Sequence, residues 1–330
     1  MRTRGFDLLR QRRYLLLTFV AILVLLGGLI GVLLRTLPGA SVPAPRVHAP
    51  TTSRPTAPTS TPQGSGIPGY DHVVIIMMEN HAYQDIIGDA PDAPYINTTL
   101  VPMGALASMY FAVAHPSLPN YLALTSGATW DIGDDGSPAA HPLSVANVAG
   151  EVEAAGKTWK AYEESMPANC DRTDAPPYYV KHNPFAYYMN LPSCATQDVP
   201  YSQLATDLGG VSTLPSYVFI TPNVNDDMHD GTIAQGDTWL ANNVPQILNS
   251  PAFTQQHSLL VITWDEDDGA HSNRVATIFV GYAVAVGHRS TVRYGHYALL
   301  KTVEAGLRLA TMTRNDGDAD AMMDLLTPTA

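Results

Sequence analysis

Positive charge is scarce in this chain. It holds 18 Lys and Arg against 30 Asp and Glu, a formal net charge of −12. Arg2, Arg4, Arg10, Arg12, Arg13, Arg35, Arg46 and Arg54 all fall in the first 66 residues, opposed only by Asp7, so the remainder is more acidic still. A body this poor in cations cannot neutralise a run of backbone phosphates, which excludes nucleic acid as a partner. Cysteine is nearly absent. Cys170 and Cys194 stand alone without CxxC spacing, so metal ligation through thiolates is disfavoured. One disulfide is the simpler assignment for an exported protein, closing a loop worth roughly 3 kcal/mol by chain entropy. No internal repeat is present.

Long apolar runs are also few, and the longest has a meaning. Tyr14 to Leu34 is 21 residues without a charge, enough to cross a bilayer. The arginines before it place the N-terminus in the cytoplasm and export the chain beyond Arg35. A signal-peptide core is usually shorter, so a single-pass anchor in the cell's own membrane is expected. Secretion after cleavage near Pro38-Gly39-Ala40 is the alternative. The expected organisation is a basic tail and transmembrane signal anchor (1–35), a Pro/Thr/Ser-rich stalk (36–66), a catalytic body (67–314) and a flexible tail (315–330).

Within the body, strand patterns recur at Val73–Met78, Thr158–Ala161, Tyr217–Ile220, Leu259–Thr263 and Thr277–Val280. Helical patterns lie between them at Tyr121–Thr125, Val145–Ala155, Thr238–Leu248 and Tyr297–Leu309. This alternation predicts a doubly wound α/β sandwich with a mostly parallel sheet. Residues 164–210 break the rhythm and read as a loop-rich insertion. Its aromatics, Tyr178, Tyr179, Phe185, Tyr187 and Tyr188, either line a lipid entrance or pack the insertion itself.

The strand ends carry the polar residues. Glu79 and Asn80 follow the first strand; Asn223, Asp226, Asp227, His229 and Asp230 follow the third. Asp265, Glu266, Asp267 and Asp268 follow the fourth, and His296 precedes the last helix. Open α/β sheets bind ligands at this edge. Carboxylates gathered there repel one another unless a cation or protons neutralise them. Ser117, in the turn His115-Pro116-Ser117-Leu118-Pro119-Asn120-Tyr121, comes just before a helical pattern, where free N–H groups favour a phosphate. Alone, that turn also reads as a plain helix cap. Together the clusters predict a metal-assisted phosphoryl site, whose oxygen ligands suit Ca²⁺, Mg²⁺ or Mn²⁺ better than Zn²⁺.

Glu79-Asn80, HPSLPNY (115–121), KTWKAY (157–162), KHNPF (181–185), NDDMHDG (225–231) and TWDEDDG (263–269) occur in this order. Over roughly Tyr70 to Ala310 the chain resembles the bacterial phosphoesterase family of secreted acid phosphatases, phosphatidylinositol-3-phosphatases and phosphatidylcholine-type phospholipases C. That family is similar to the alkaline phosphatase superfamily, so the resemblance implies a three-layer α/β/α sandwich and an alcohol nucleophile bound to metal. It implies Ser117 as nucleophile, and Glu79, Asn80, Ser117, Asp265 and Glu266 around one divalent ion. His115, Asn120, Lys160 and His182 are implied as phosphate-binding groups, and His229 and His296 as acids for the leaving group. The two-zinc members carry Asp-His where this chain has Asp265-Glu266, and one metal is expected here. The sulfatase pattern needs Arg where Tyr121 stands.

The expected reaction is a two-step hydrolysis through a phosphoseryl intermediate. The expected substrate is a phosphomonoester, either a small molecule or a phosphoinositide lipid. A phospholipase C-type diesterase is the alternative, and an inactive tethered binding module the remaining one. A histidine acid with a free pKa of about 6.5 works best below neutrality, which predicts an acidic optimum.

Overall fold

The computed structural model describes residues 66–327. The basic tail, the anchor and almost all of the stalk lie outside the described residues. Among the described residues no helix is long and apolar enough to cross a membrane.

The apolar run after Asp71 forms β1 (His72–Met78), and every residue in it is buried. That results from its place in mid-sheet, between β5 (Tyr217–Thr221) and β6 (Ser258–Trp264), both parallel to it. The strand order is β4-β3-β5-β1-β6-β7-β2-β8, with β9 also pairing with β2. Here β2 is Ala105–Phe111, β3 Trp159–Glu163, β4 Asp198–Pro200, β7 Arg274–Gly281, β8 Arg289–Ser290 and β9 Tyr294–Gly295. Only β7 runs against its neighbours β6 and β2. With helices flanking it, the sheet makes the expected α/β/α sandwich. Its parallel strands, covered on both faces, read as continuous apolar runs for that reason.

Four helices matter for the site: α1 (Ser117–Ser126), α2 (Val148–Ala154), α3 (Ile233–Leu248) and α4 (His296–Leu307). All ten residues of α1 are buried, and its polar side chains Asn120, Thr125 and Ser126 are satisfied by backbone carbonyls. It ends at Gly127, whose left-handed backbone (φ 75°) closes the last turn. α4 packs on both α1 and β1.

Two features differ from the sequence reading, and one alternative it left open is narrowed. β2, absent from the sequence reading, has no clean alternation: between β7 and the short β8 and β9, its first four residues and Tyr110 are buried regardless of pattern. Four of the five aromatics between residues 178 and 188 pack the insertion: Tyr178, Phe185, Tyr187 and Tyr188 are buried, Phe185 meets both Trp159 and Phe219, and Tyr179 alone is half-buried. Residues 315–327 are not a flexible tail. A capping box on Thr313 starts a short helix, Arg314–Asp318, and Met322, Leu325 and Leu326 are buried. Asp324 accepts hydrogen bonds from Ser290 and Tyr294, tying this end to the sheet edge. Short polar stretches lack the periodicity that would reveal such docking.

Cys170 and Cys194 form the expected disulfide, with Cα atoms 5.4 Å apart.

Candidate active site

Met78 is in register with Trp264, so Glu79 and Asp265 are the next residues of two adjacent parallel strands and emerge side by side. The loop after β5 brings Asp227 to the same place, where its carbonyl accepts the Glu79 N–H at 2.9 Å. Ser117 arrives from the far side of the sheet, at the end of the loop leaving β2. Pro116, not Ser117, is the N-cap residue, so the hydroxyl is not used in capping. It donates toward Glu79 Oε2 at 3.2 Å and Glu266 Oε1 at 3.4 Å. Tyr121, one helical turn on and therefore on the same face, donates its hydroxyl to Glu79 Oε1.

Asn80 sits in the left-handed region (φ 42°), which asparagine tolerates better than most residues. Its backbone N–H donates to Asp265 Oδ1 at 3.2 Å. Its side-chain amide ends 2.8 Å from Glu79 Oε2 and 3.2 Å from Asp265 Oδ1. Glu79, Asn80, Ser117, Asp265 and Glu266 are thus brought together as predicted.

The electrostatics of this cluster are unfavourable as it stands. Burial, then Asp265 and Asp227, push the Glu79 carboxyl well above its ordinary range. Burial and Glu266 raise Asp265 to about 8, and burial followed by Asp135 raises Glu266 to about 8. Asp227 is raised well above its ordinary range, again mainly by burial. The buried oxygens Asp265 Oδ2 and Asp227 Oδ2 have no hydrogen-bond partner, nor has His182 Nε2. Buried acceptors of this kind are costly unless protons or a cation satisfy them. The donor set therefore fits a divalent cation.

His182 is buried against the same carboxylates, 3.4 Å from Glu79 Oε1 and 3.5 Å from Asp227 Oδ2, and stacks on Tyr121. Burial, then the charge of Lys181, hold its pKa well below the usual imidazole value. Glu79, His182 and His229 could themselves hold an ion. That adds nitrogen to an oxygen-rich set, so the expected preference against zinc is weaker than the sequence implied. His229 is at the rim, with Nδ1 2.7 Å from Asp230 Oδ1 and Nε2 3.2 Å from Lys181 Nζ. His115, also at the rim, has Nδ1 2.5 Å from Glu266 Oε2 and Nε2 3.3 Å from Asp267 Oδ1.

Three expected roles do not survive the geometry. Lys160 is level with Val218 and so with Val74, four residues or roughly 13 Å of strand short of the site edge. There its ammonium binds Asp207 at 2.6 Å. Asn120 has no free amide for a phosphate. Its oxygen accepts from the N–H groups of Val113 and Ala114, and its nitrogen donates to the carbonyls of Ala114 and Pro116. It braces the loop that presents Ser117. His296 is fully buried beneath the site, where Nε2 donates to the Asp265 carbonyl at 2.7 Å and Nδ1 accepts from Tyr110 at 2.9 Å. Burial lowers its pKa to about 4, so it is a neutral strut without access to a leaving group.

Sequence reasoning missed Lys181, Tyr121 and Asp135. Lys181, one residue before His182, is the lysine whose charge reaches Glu79, Asp227 and Glu266. The Ser117–Tyr121 spacing could have revealed Tyr121. Nothing in the sequence singles out Asp135.

The profile of the phosphoesterase family matches residues 91–310. This chain belongs to the phosphoesterase family. As such it is a phosphoric ester hydrolase. The phosphoesterase is 38% identical over 242 residues to a phosphatidylinositol-3-phosphatase of Mycobacterium tuberculosis, covering 73% of this chain and 78% of that protein. It is 30% identical over 262 residues to a probable acid phosphatase of Kluyveromyces lactis, covering 75% of this chain and 61% of that protein. Among solved structures, it resembles an alkaline phosphatase superfamily protein of Vibrio parahaemolyticus with a TM-score of 0.54. That likeness covers 79% of this chain and 73% of the other at 13% identity, and concerns the fold alone.

Proposed function

We propose that this phosphoesterase is a metal-dependent acid phosphatase acting outside the cytoplasm on phosphomonoesters, phosphoinositide head groups among them. The observation that carries this reading is the Ser117 hydroxyl, turned away from helix capping and toward Glu79 and Glu266. A divalent ion held by Glu79, Asn80, Ser117, Asp265 and Glu266 would lower the hydroxyl pKa and screen the phosphate charge.

The protein groups divide the remaining work. Ser117 loses its proton to the carboxylates it faces, and its oxygen attacks phosphorus in line as the bond to the leaving oxygen breaks. The phosphoseryl group so formed is hydrolysed by water, returning Ser117. Lys181 supplies the nearby fixed positive charge, and the Leu118 N–H at the start of α1 an oriented dipole. His229, oriented by Asp230, donates the proton to the departing alkoxide. Asn120 and His296 act by position, holding the Ser117 loop and the end of β6.

Tyr178, Phe185, Tyr187 and Tyr188 are spent on packing the insertion and are not free to bind acyl chains, which favours a monoester over a phospholipid diester. Export rests on the uncharged run from Tyr14 to Leu34 and accords with the disulfide. Parallel assays of p-nitrophenyl phosphate, phosphatidylinositol 3-phosphate and a choline phosphodiester test the reading. Turnover of the diester in preference to both monoesters would refute it.

A further inference from the structure

Asp135 belongs to no strand end. It reaches the site from the loop of residues 127–147, between α1 and α2, and its side chain is one-quarter exposed. Its Oδ1 accepts the N–H of Leu118, the residue after the nucleophile, at 3.0 Å. Its Oδ2 accepts from Lys181 Nζ at 3.1 Å. One carboxylate thus occupies both donors that the phosphoryl-transfer reading assigns to substrate. A carboxylate can satisfy a helix-start N–H and an ammonium much as two phosphoryl oxygens would. It does so close enough to Glu266 for its charge to raise that carboxyl, in a site where one more negative charge is unwelcome. Because the loop side chain is partly in solvent, it can leave without opening the core.

We propose that Asp135 is the resident anion of the phosphate subsite, a gating carboxylate that the substrate phosphoryl group displaces from Leu118 N–H and Lys181, so that it sets affinity for phosphate dianions. The proposal rests on the phosphomonoesterase reading and adds the residue that tunes it. A merely structural Asp135, which orients Lys181, would act in the opposite direction.

The test is competitive inhibition of the metal-loaded enzyme by inorganic phosphate. Asp135→Asn keeps an acceptor for Leu118 N–H and removes the charge, so the inhibition constant should fall about tenfold or more. In Lys181→Met, phosphate should bind more weakly, and the gain from Asp135→Asn should disappear in the double variant. Unchanged or weaker phosphate binding in Asp135→Asn overturns the gate. A second measurement needs no variant. In a phosphate titration of the wild-type protein followed by NMR, the Leu118 amide resonance should shift along the same saturation curve as the inhibition. A Leu118 amide that stays still while phosphate inhibits also overturns it. Failure of phosphate to inhibit any form would remove the phosphatase reading itself, a result separable from the other two.

Discussion

Ser117 Oγ lies 3.2 Å from Glu79 Oε2 although 38 positions separate them. The contact requires β1 and β2 to end at one edge of the sheet with β6 and β7 between them. It also requires a loop braced tightly enough by Asn120 to start α1 facing inward.

Ser117→Ala should abolish turnover while the protein stays folded. Loss of a nucleophile typically costs about 10³-fold or more in kcat, whereas one hydroxyl at this site contributes at most about 1–2 kcal/mol to stability. Steady-state kinetics beside a thermal melt separate the two effects. Retention of a tenth of wild-type kcat would exclude Ser117 as nucleophile.

The two lysines provide a contrast. Lys181→Met should lower kcat/KM by roughly 10²-fold, since it removes fixed charge at the phosphate. Lys160→Met should leave kcat/KM within about threefold and cost about 1 kcal/mol through the lost Asp207 pair, which Tyr162 still bonds. Equal kinetic losses in the two variants would contradict the placement of Lys160 at the far end of β3.

Chelation should remove activity, and add-back of a divalent ion should restore it. Removal should also lower the melting temperature, because an ion that binds only the folded state stabilises it by mass action. At a concentration of about 100 times Kd that stabilisation is about 2.7 kcal/mol. Full activity after exhaustive chelation, with no metal detected in the protein, would count against the proposed ion.

Glu163 and Asp198 are buried together where β3 meets β4. Burial and then Asp198 raise Glu163 well above its ordinary range, and burial raises Asp198 to about 7. With folded-state values raised, their stabilising contribution is complete below about pH 4. It is lost as pH climbs through about 7, because the unfolded chain releases these protons first. Glu163→Gln should therefore flatten the fall in stability between pH 5 and 8. The change in slope should approach ~1.4 kcal/mol per pH unit, the value for one proton. Chemical denaturation at several pH values reads it, and parallel wild-type and variant slopes would rule the pair out.

Much of this protein is legible from its residues without a fold. β1, β5 and β6 are continuous apolar runs because central parallel strands are covered on both faces. Glu79 and Asp265 stand out because polar residues directly after such runs lie at a ligand-binding edge, and Asp227 because it belongs to the acidic loop that follows β5. Hydropathy, charge balance and the ordered motifs set the fold class and the family, and single out Ser117 as the proposed nucleophile. Local pattern could not say which polar groups had spare hydrogen-bonding capacity. Lys160 and Lys181 are alike as sequence, yet strand register puts one near the far end of β3 while the other faces the carboxylates. Asn120 and His296 sit in motif positions, but their hydrogen bonds are consumed by the Ser117 loop and by the Asp265 carbonyl. Asp135 comes from an irregular loop with no periodicity to betray it. Those assignments depend on contacts between residues distant in the chain, and only the packed tertiary structure brings them together.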